Sequence, residues 1–156
     1  MILYYLGMRE EELRRYFQDE VNVSELTLDL QGSVVQVDDL SSIIRIADMQ
    51  ETFLLARQHV IKLCNAFQER ALNADELSTI AFALLASDAF EWDDEVISEV
   101  LSDWSAPEIN FVLNDETMSM HRGWLLGTSD PPLRSMVGLP DATNARLISI
   151  RTKTAS

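Results

Sequence analysis

A single cysteine, four prolines and five glycines in 156 residues limit what this chain can be. The lone Cys64 excludes an intramolecular disulfide and a cysteine-based zinc cluster. The glycines stand singly at 7, 32, 123, 127 and 138, so there is no dinucleotide fingerprint, no Walker loop and no nucleophile elbow. That weighs against the common nucleotide-binding and acyl-transfer classes. No run approaches the roughly 18 apolar residues that suggest a membrane-spanning helix. The apolar opening MILYYLGM has no basic residues before it, and Arg9, Glu10, Glu11 and Glu12 follow it, unlike a secretory signal. The expectation is a cytoplasmic protein whose N-terminus is a first strand or an apolar lead-in to a helix.

The most informative absence is of positive charge. Twelve Lys and Arg stand against 26 Asp and Glu, a net charge of -14. Residues 1–70 hold 12 acids and 7 bases, and residues 122–156 hold 2 acids and 5 bases. Between them, residues 71–121 hold 12 acids and no Lys or Arg. Such a chain is a poor binder of nucleic acid, which needs clustered cations, and of anionic membranes. A single-sign field of this length has to be screened by salt or met by a partner.

What is present is a globular pattern. Apolar residues make up 47%, and one domain is the prior at this length. Helical spacing of apolar side chains predicts helices near 9–20, 52–70, 75–86, 94–104 and 115–126. Asn73 with Glu76 forms a capping box, Asp93 or Asp94 caps the next helix, and Asn114 or Asp115 starts the last, which Gly127 closes. Leu26, Leu28 and Leu30 suit either a short helix capped by Ser24 and ended by Gly32, or a strand. Val34–Val37 and Ile43–Ile46 flank the polar Asp38–Ser42 and predict a hairpin. The fold class expected is predominantly α-helical α+β, a helical bundle with one small β-hairpin. Residues 1–127 form the domain, and 128–156 form a linker containing Pro and Gly with a basic tail, in which the alternation at 146–152 suits either a strand or a tail ordered only by a contact. Leu63, Phe67, Ile80, Leu84, Ile97 and Leu101 are expected to share one core.

Chemistry is sparse. His59 and His121 have no partner at i+4 and no Cys-x-x-Cys nearby, so no zinc site is expected. Cys64 sits on an apolar helix face with no cation one turn away to activate it. Counted as a calcium loop from Asp88, the ligand positions fall on Phe90 and Trp92, and the glycine position on Asp93, so the pattern fails. Paired carboxylates for glycoside hydrolysis need a large aromatic cleft, which an acidic helical half of a short chain poorly supplies. The acids are instead interleaved with Phe90, Trp92, Trp104 and Trp124, and aromatic anchors within a charged rim are characteristic of protein interfaces. The acidic run is either a plain solvated face or an interface, and as an interface it comprises Asp88, Glu91, Trp92, Asp93, Asp94, Glu95, Glu99, Asp103 and Glu108. Glu95, Glu99 and Asp103 recur at i+4 and would line one helix face.

The helix ending NAFQERALNADELSTIAFAL, the connection SDAFEWDDE and the segment WSAPEIN lie within residues 53–127. This half of the chain resembles the small acidic immunity proteins that bacteria encode beside contact-dependent and other polymorphic toxins. The resemblance implies a cytoplasmic protein that binds and blocks one cognate toxin. Where that toxin is a nuclease, its basic substrate site would meet the acidic face. The expectation is therefore a basic protein partner, with no enzyme activity, cofactor, metal, nucleic acid or membrane. The alternatives are a small carboxylate- or metal-dependent enzyme of unrecognised type, or an adaptor subunit of a larger complex.

Overall fold

The computed structural model describes residues 8–30, 34–36, 42–107, 112–132 and 147–153. Over these residues the fold is predominantly α-helical α+β, with six helices and two small sheets. It begins with β1 (Met8–Arg9), α1 (Glu10–Phe17) and α2 (Val23–Leu30). Asn22, rather than Ser24, caps α2: its Oδ1 accepts the Glu25 backbone N–H at 2.9 Å. Leu26 and Leu30 are buried while Leu28 is exposed, which is the helical phase; a strand would put all three on one side. Gly32, expected to end this element, lies outside the described residues.

The expected hairpin is present as β2 (Val34–Gln36) and β3 (Ser42–Asp48), with Val34 opposite Ile44 and Gln36 opposite Ser42. Of the expected turn at 38–42, all but Ser42 lies outside the described residues. The sheet is larger than a hairpin. β1 pairs in parallel with β3, Met8 opposite Ile46, and β6 (Leu147–Lys153) runs parallel to β3 along its whole length. Since β6 takes one entire edge of β3, β1 and β2 share the other edge at opposite ends. The alternating segment near the C-terminus is thus a strand. Its pairing is remote in sequence and leaves no local turn signal, unlike that of the hairpin.

A second sheet pairs β4 (Phe53–Leu54) in parallel with β5 (Phe90–Glu91). The helix expected at 52–70 therefore starts later, as α3 (Arg57–Gln68). Phe53 is drawn instead into an aromatic cluster, its ring 5.9 Å from Phe17 and 5.6 Å from Phe90. The Phe53 and Leu55 amides donate to the Ala89 and Glu91 carbonyls, each at 2.8 Å. His59, half-buried, closes this cluster 5.0 Å from Phe53, and its Nδ1 accepts the Ala56 N–H at 2.9 Å at the start of α3.

The remaining helices, α4 (Ala74–Ala86), α5 (Glu95–Ser105) and α6 (Asp115–Leu126), match their expected spans within a residue. Their caps are the expected side chains. Asn73 Oδ1 accepts the Glu76 N–H at 2.8 Å and Glu76 returns the bond at 2.9 Å; Asp94 caps α5 and Asn114 caps α6. Each such cap contributes about 1 kcal/mol. Gly127 ends α6 at φ 78°, a left-handed conformation that glycine adopts without steric cost. α4 packs on α5 and α3 on α6. Leu63, Phe67, Ile80, Leu84, Ile97 and Leu101 are all buried in one core, together with Trp104 and Trp124. Burying one such side chain contributes about 1.5–3 kcal/mol. Among the described residues, no helix is long and apolar enough to cross a membrane.

Candidate functional site

The β5 turn is built from Ser87, whose Oγ accepts the Ala89 and Phe90 N–H groups at 2.9 and 3.1 Å as the chain leaves α4. Phe90 is pinned in the core beside the buried Ala89, and Glu91 on its other side faces solvent. Asp88, Glu91, Asp93 and Glu95 are all exposed. Among the described residues, none of the four has an ion-pair partner. Trp92 is half-buried against the core, and its Nε1 donates to Ser98 Oγ at 2.8 Å. An apolar side chain that the sequence reading passed over stands beside these acids. Leu54 is 72% exposed and lies directly opposite Glu91 in the parallel β4–β5 register, which puts both side chains on one face of the pair.

Other members of the expected face are differently placed. Asp94 is bound by Arg57, Nε to Oδ2 at 2.5 Å and Nη2 to Oδ1 at 3.1 Å. Hydrogen bonding to that guanidinium holds the Asp94 carboxyl below its usual range. Arg57 also reaches the Trp124 and Leu125 carbonyls at the end of α6, at 3.4 and 3.3 Å, so one side chain ties α3, α5 and α6 together. Asp115 is likewise gripped by Arg70 at 2.9 and 2.8 Å. The stretch without Lys or Arg is thus partly neutralised across the fold, by arginines from α3 and the turn after it.

Asp103 must be removed from the surface face, because it is 0% exposed. The physical reason is helical phase. A step of four residues overshoots one turn by about 40°, so two steps rotate the stripe by about 80°. That carries it from solvent at Glu95, past the half-buried Glu99, into the core at Asp103. Glu108 lies outside the described residues.

Asp103 instead belongs to a buried polar network that sequence reasoning missed. Trp104 Nε1–H donates to His121 Nδ1 at 3.1 Å, and His121 Nε2 lies 3.1 Å from Asp103 Oδ2. All three residues are 0% exposed. With Nδ1 accepting, the ring proton sits on Nε2 and is donated to the Asp103 carboxyl. Sealed from solvent, this arrangement clips α5 to α6 and offers no surface to a substrate. A signal for it existed: His121 lies three residues after Met118 and three and four before Trp124 and Leu125, on the apolar face of α6. A polar residue in that phase needs a buried partner.

Among the described residues, no group of three or more His, Cys, Asp or Glu is arranged to hold a metal ion. Burial pushes the Cys64 thiol up to about 12, the opposite of an activated nucleophile. No family model, no curated protein and no solved structure matches the chain.

Proposed function

We propose that this chain is a cytoplasmic binding protein whose β5–α5 face docks on a basic protein partner, in the manner of an immunity protein blocking its cognate toxin. The observation that carries this reading is the group Asp88, Glu91, Asp93 and Glu95, exposed and without ion-pair partners among the described residues, beside the exposed Leu54. Like charges this close repel one another, and Lys and Arg on a partner would relieve the repulsion. Complementary charge speeds association and excludes wrong partners. Leu54, rather than the half-buried Trp92, is the apolar anchor. Inhibition is steric and electrostatic: the carboxylates meet the cations that a toxin, such as a nuclease, uses to hold its substrate.

The experiment takes any toxin domain that the genes flanking this chain encode, the lack of one counting against the reading, and the variant Asp88→Lys, Glu91→Lys, Asp93→Lys. These three positions are exposed, so the fold should persist, as circular dichroism would check. The wild-type protein should bind and inhibit the toxin domain, more slowly as salt rises. Charge reversal should slow association by about tenfold or more. Unchanged association at low salt would remove this face from the interface, and no binding by the wild type would defeat the reading.

A further inference from the structure

The β4–β5 pair has an open edge. Along a strand, the N–H and C=O of one residue point to one side and those of the next residue to the other. The Phe53 and Leu55 amides face β5, where the Ala89 and Glu91 carbonyls accept them at 2.8 Å. Leu54, between them, therefore turns its N–H and C=O away from β5. Among the described residues, no strand pairs with β4 on that side, and neither backbone group of Leu54 has a hydrogen-bond partner. Thr52, just before β4, is exposed and also lacks one among the described residues. The edge stops at Ala56, whose N–H is taken by His59 Nδ1. A free N–H and C=O on an extended chain form the template on which another strand adds. The surroundings select which strand. The Leu54 side chain is 72% exposed, and Glu91 stands opposite it in the register, on the same face. Asp88 and Asp93, both exposed, flank β5 on either side. Among the described residues β6 also has an outer edge that no strand takes, but that strand contains Arg151 and Lys153.

Resting on the reading of a basic partner, we propose that an extended segment rich in Lys and Arg joins β4 as a third strand. Its backbone pairs with the Leu54 N–H and C=O. A Lys or Arg opposite Leu54 lays its methylene stem across that side chain and carries its charge toward Glu91. Leu54 thus links the pairing edge to the acids. The edge is short, so charge supplies most of the attraction and the backbone bonds fix the register. An acidic strand is repelled by Glu91. A second copy would bring one chain of net charge -14 against another.

The probe is an acetylated and amidated peptide of four lysines alternating with three threonines, added to the intact chain at about 0.05 M salt. Spermine, with the same charge and no peptide groups, is the control. The peptide should bind saturably and one to one. At saturation it should slow hydrogen exchange of the Leu54 amide by about tenfold or more, and spermine should not. Leu54→Pro removes the outward N–H at an edge position that tolerates proline, and should weaken the peptide by about tenfold. Leu54→Ala keeps the N–H and should weaken it clearly less. The exchange measurement on the wild type needs no variant, so a failure of Leu54→Pro to fold would leave the test standing. Shifts gathered on 88–95 with both probes, and no slowing at Leu54, would overturn strand addition while leaving an acidic docking face. Slowing at Leu147–Lys153 instead, or no saturable binding of the peptide, would also overturn it. Slowing at Leu54 as the chain alone is concentrated would assign the edge to a second copy. Peptide pairing at Leu54 without binding of a flanking toxin domain would keep the edge and defeat only the toxin reading.

Discussion

Replacing His121 with leucine is the sharpest probe of how this fold is held. The change keeps an apolar side chain of moderate size between α5 and α6 but removes both ring nitrogens. Trp104 then keeps a buried indole N–H with no acceptor, since His121 Nδ1 is the partner it uses. Asp103 loses the Nε2–H that faces its Oδ2 at 3.1 Å. Stranding the buried Trp104 N–H costs about 1–3 kcal/mol and losing one hydrogen bond to the Asp103 carboxylate about 1.5–3 kcal/mol, so the variant should lose about 2–6 kcal/mol. A loss of that size lowers Tm by about 5–20 °C for a chain of this length. Urea unfolding, followed by tryptophan fluorescence and far-UV circular dichroism, measures it, and coincidence of the two signals checks two-state behaviour. A loss below about 1 kcal/mol would refute the clip. Asp103→Asn supplies an internal control. An amide oxygen can still accept the Nε2–H, so this variant should lose clearly less than His121→Leu. Equal losses would contradict the tautomer read from the Trp104 bond.

Three further predictions concern single side chains. Asp94→Ala should cost about 1–2 kcal/mol by thermal melting near neutral pH, through loss of the α5 cap and the Arg57 bridge. Because Arg57 holds the folded Asp94 carboxyl low, this stability is present above about pH 3.9 and is lost as pH falls through the folded value, where the wild type and the variant should converge. Burial, and then Lys62, lowers the His59 pKa, so the folded chain binds fewer protons there than the unfolded one. Stability should therefore decline as pH falls below about 6.5, and His59→Gln should flatten that decline in pH-dependent melts. The Cys64 thiol, buried and pushed up to about 12, should not react with an aromatic disulfide reagent at neutral pH until the chain is unfolded; prompt reaction in the native state would contradict its burial.

The helices were legible because their signals are local. Asn73 with Glu76, and Asn114 ahead of α6, announce N-termini within three residues, and Gly127 marks an end. The short strands were not legible for the opposite reason. Phe53 and Phe90 read as a helix start and a loop, and only their pairing with each other makes them strands. The alternation of β6 was visible at 146–152, but its pairing with Ser42–Asp48, far away in the chain, was not. At the candidate face, the run of acids was plain in the sequence, but which acids are already satisfied was not. Arg57 and Arg70 reach Asp94 and Asp115 across 37 and 45 residues, and no periodicity encodes that. Exposure followed the same rule. Trp92 drew attention by its type, yet it leans on the core, while the ordinary Leu54 protrudes.

Sorting the twelve acids of residues 71–121 by what they do in the fold narrows the binding reading. Asp75 and Glu76, Asp94 and Glu95, and Asp115 and Glu116 stand at the N-terminal ends of α4, α5 and α6. There a negative charge favours the helix by about 0.3–1 kcal/mol, so folding alone is reason enough for six of the twelve. Asp103 is in the clip with His121, and Glu99 is half-buried on α5 with an interaction of its own. Glu108 lies outside the described residues. What folding leaves unexplained is Asp88, Glu91 and Asp93, which ring the β5 turn, cap nothing and are exposed. Glu95 shares their surface but also serves the start of α5, so reversing it would mix a stability loss with a binding loss. Reversing the other three should leave Tm unchanged or raise it slightly, because mutual repulsion is removed and no helix end is touched. A partner that binds through this turn would then be lost at constant stability. A fall in Tm of several degrees would instead mean that these acids serve the fold, and the case for an interface at β5 would fail with it.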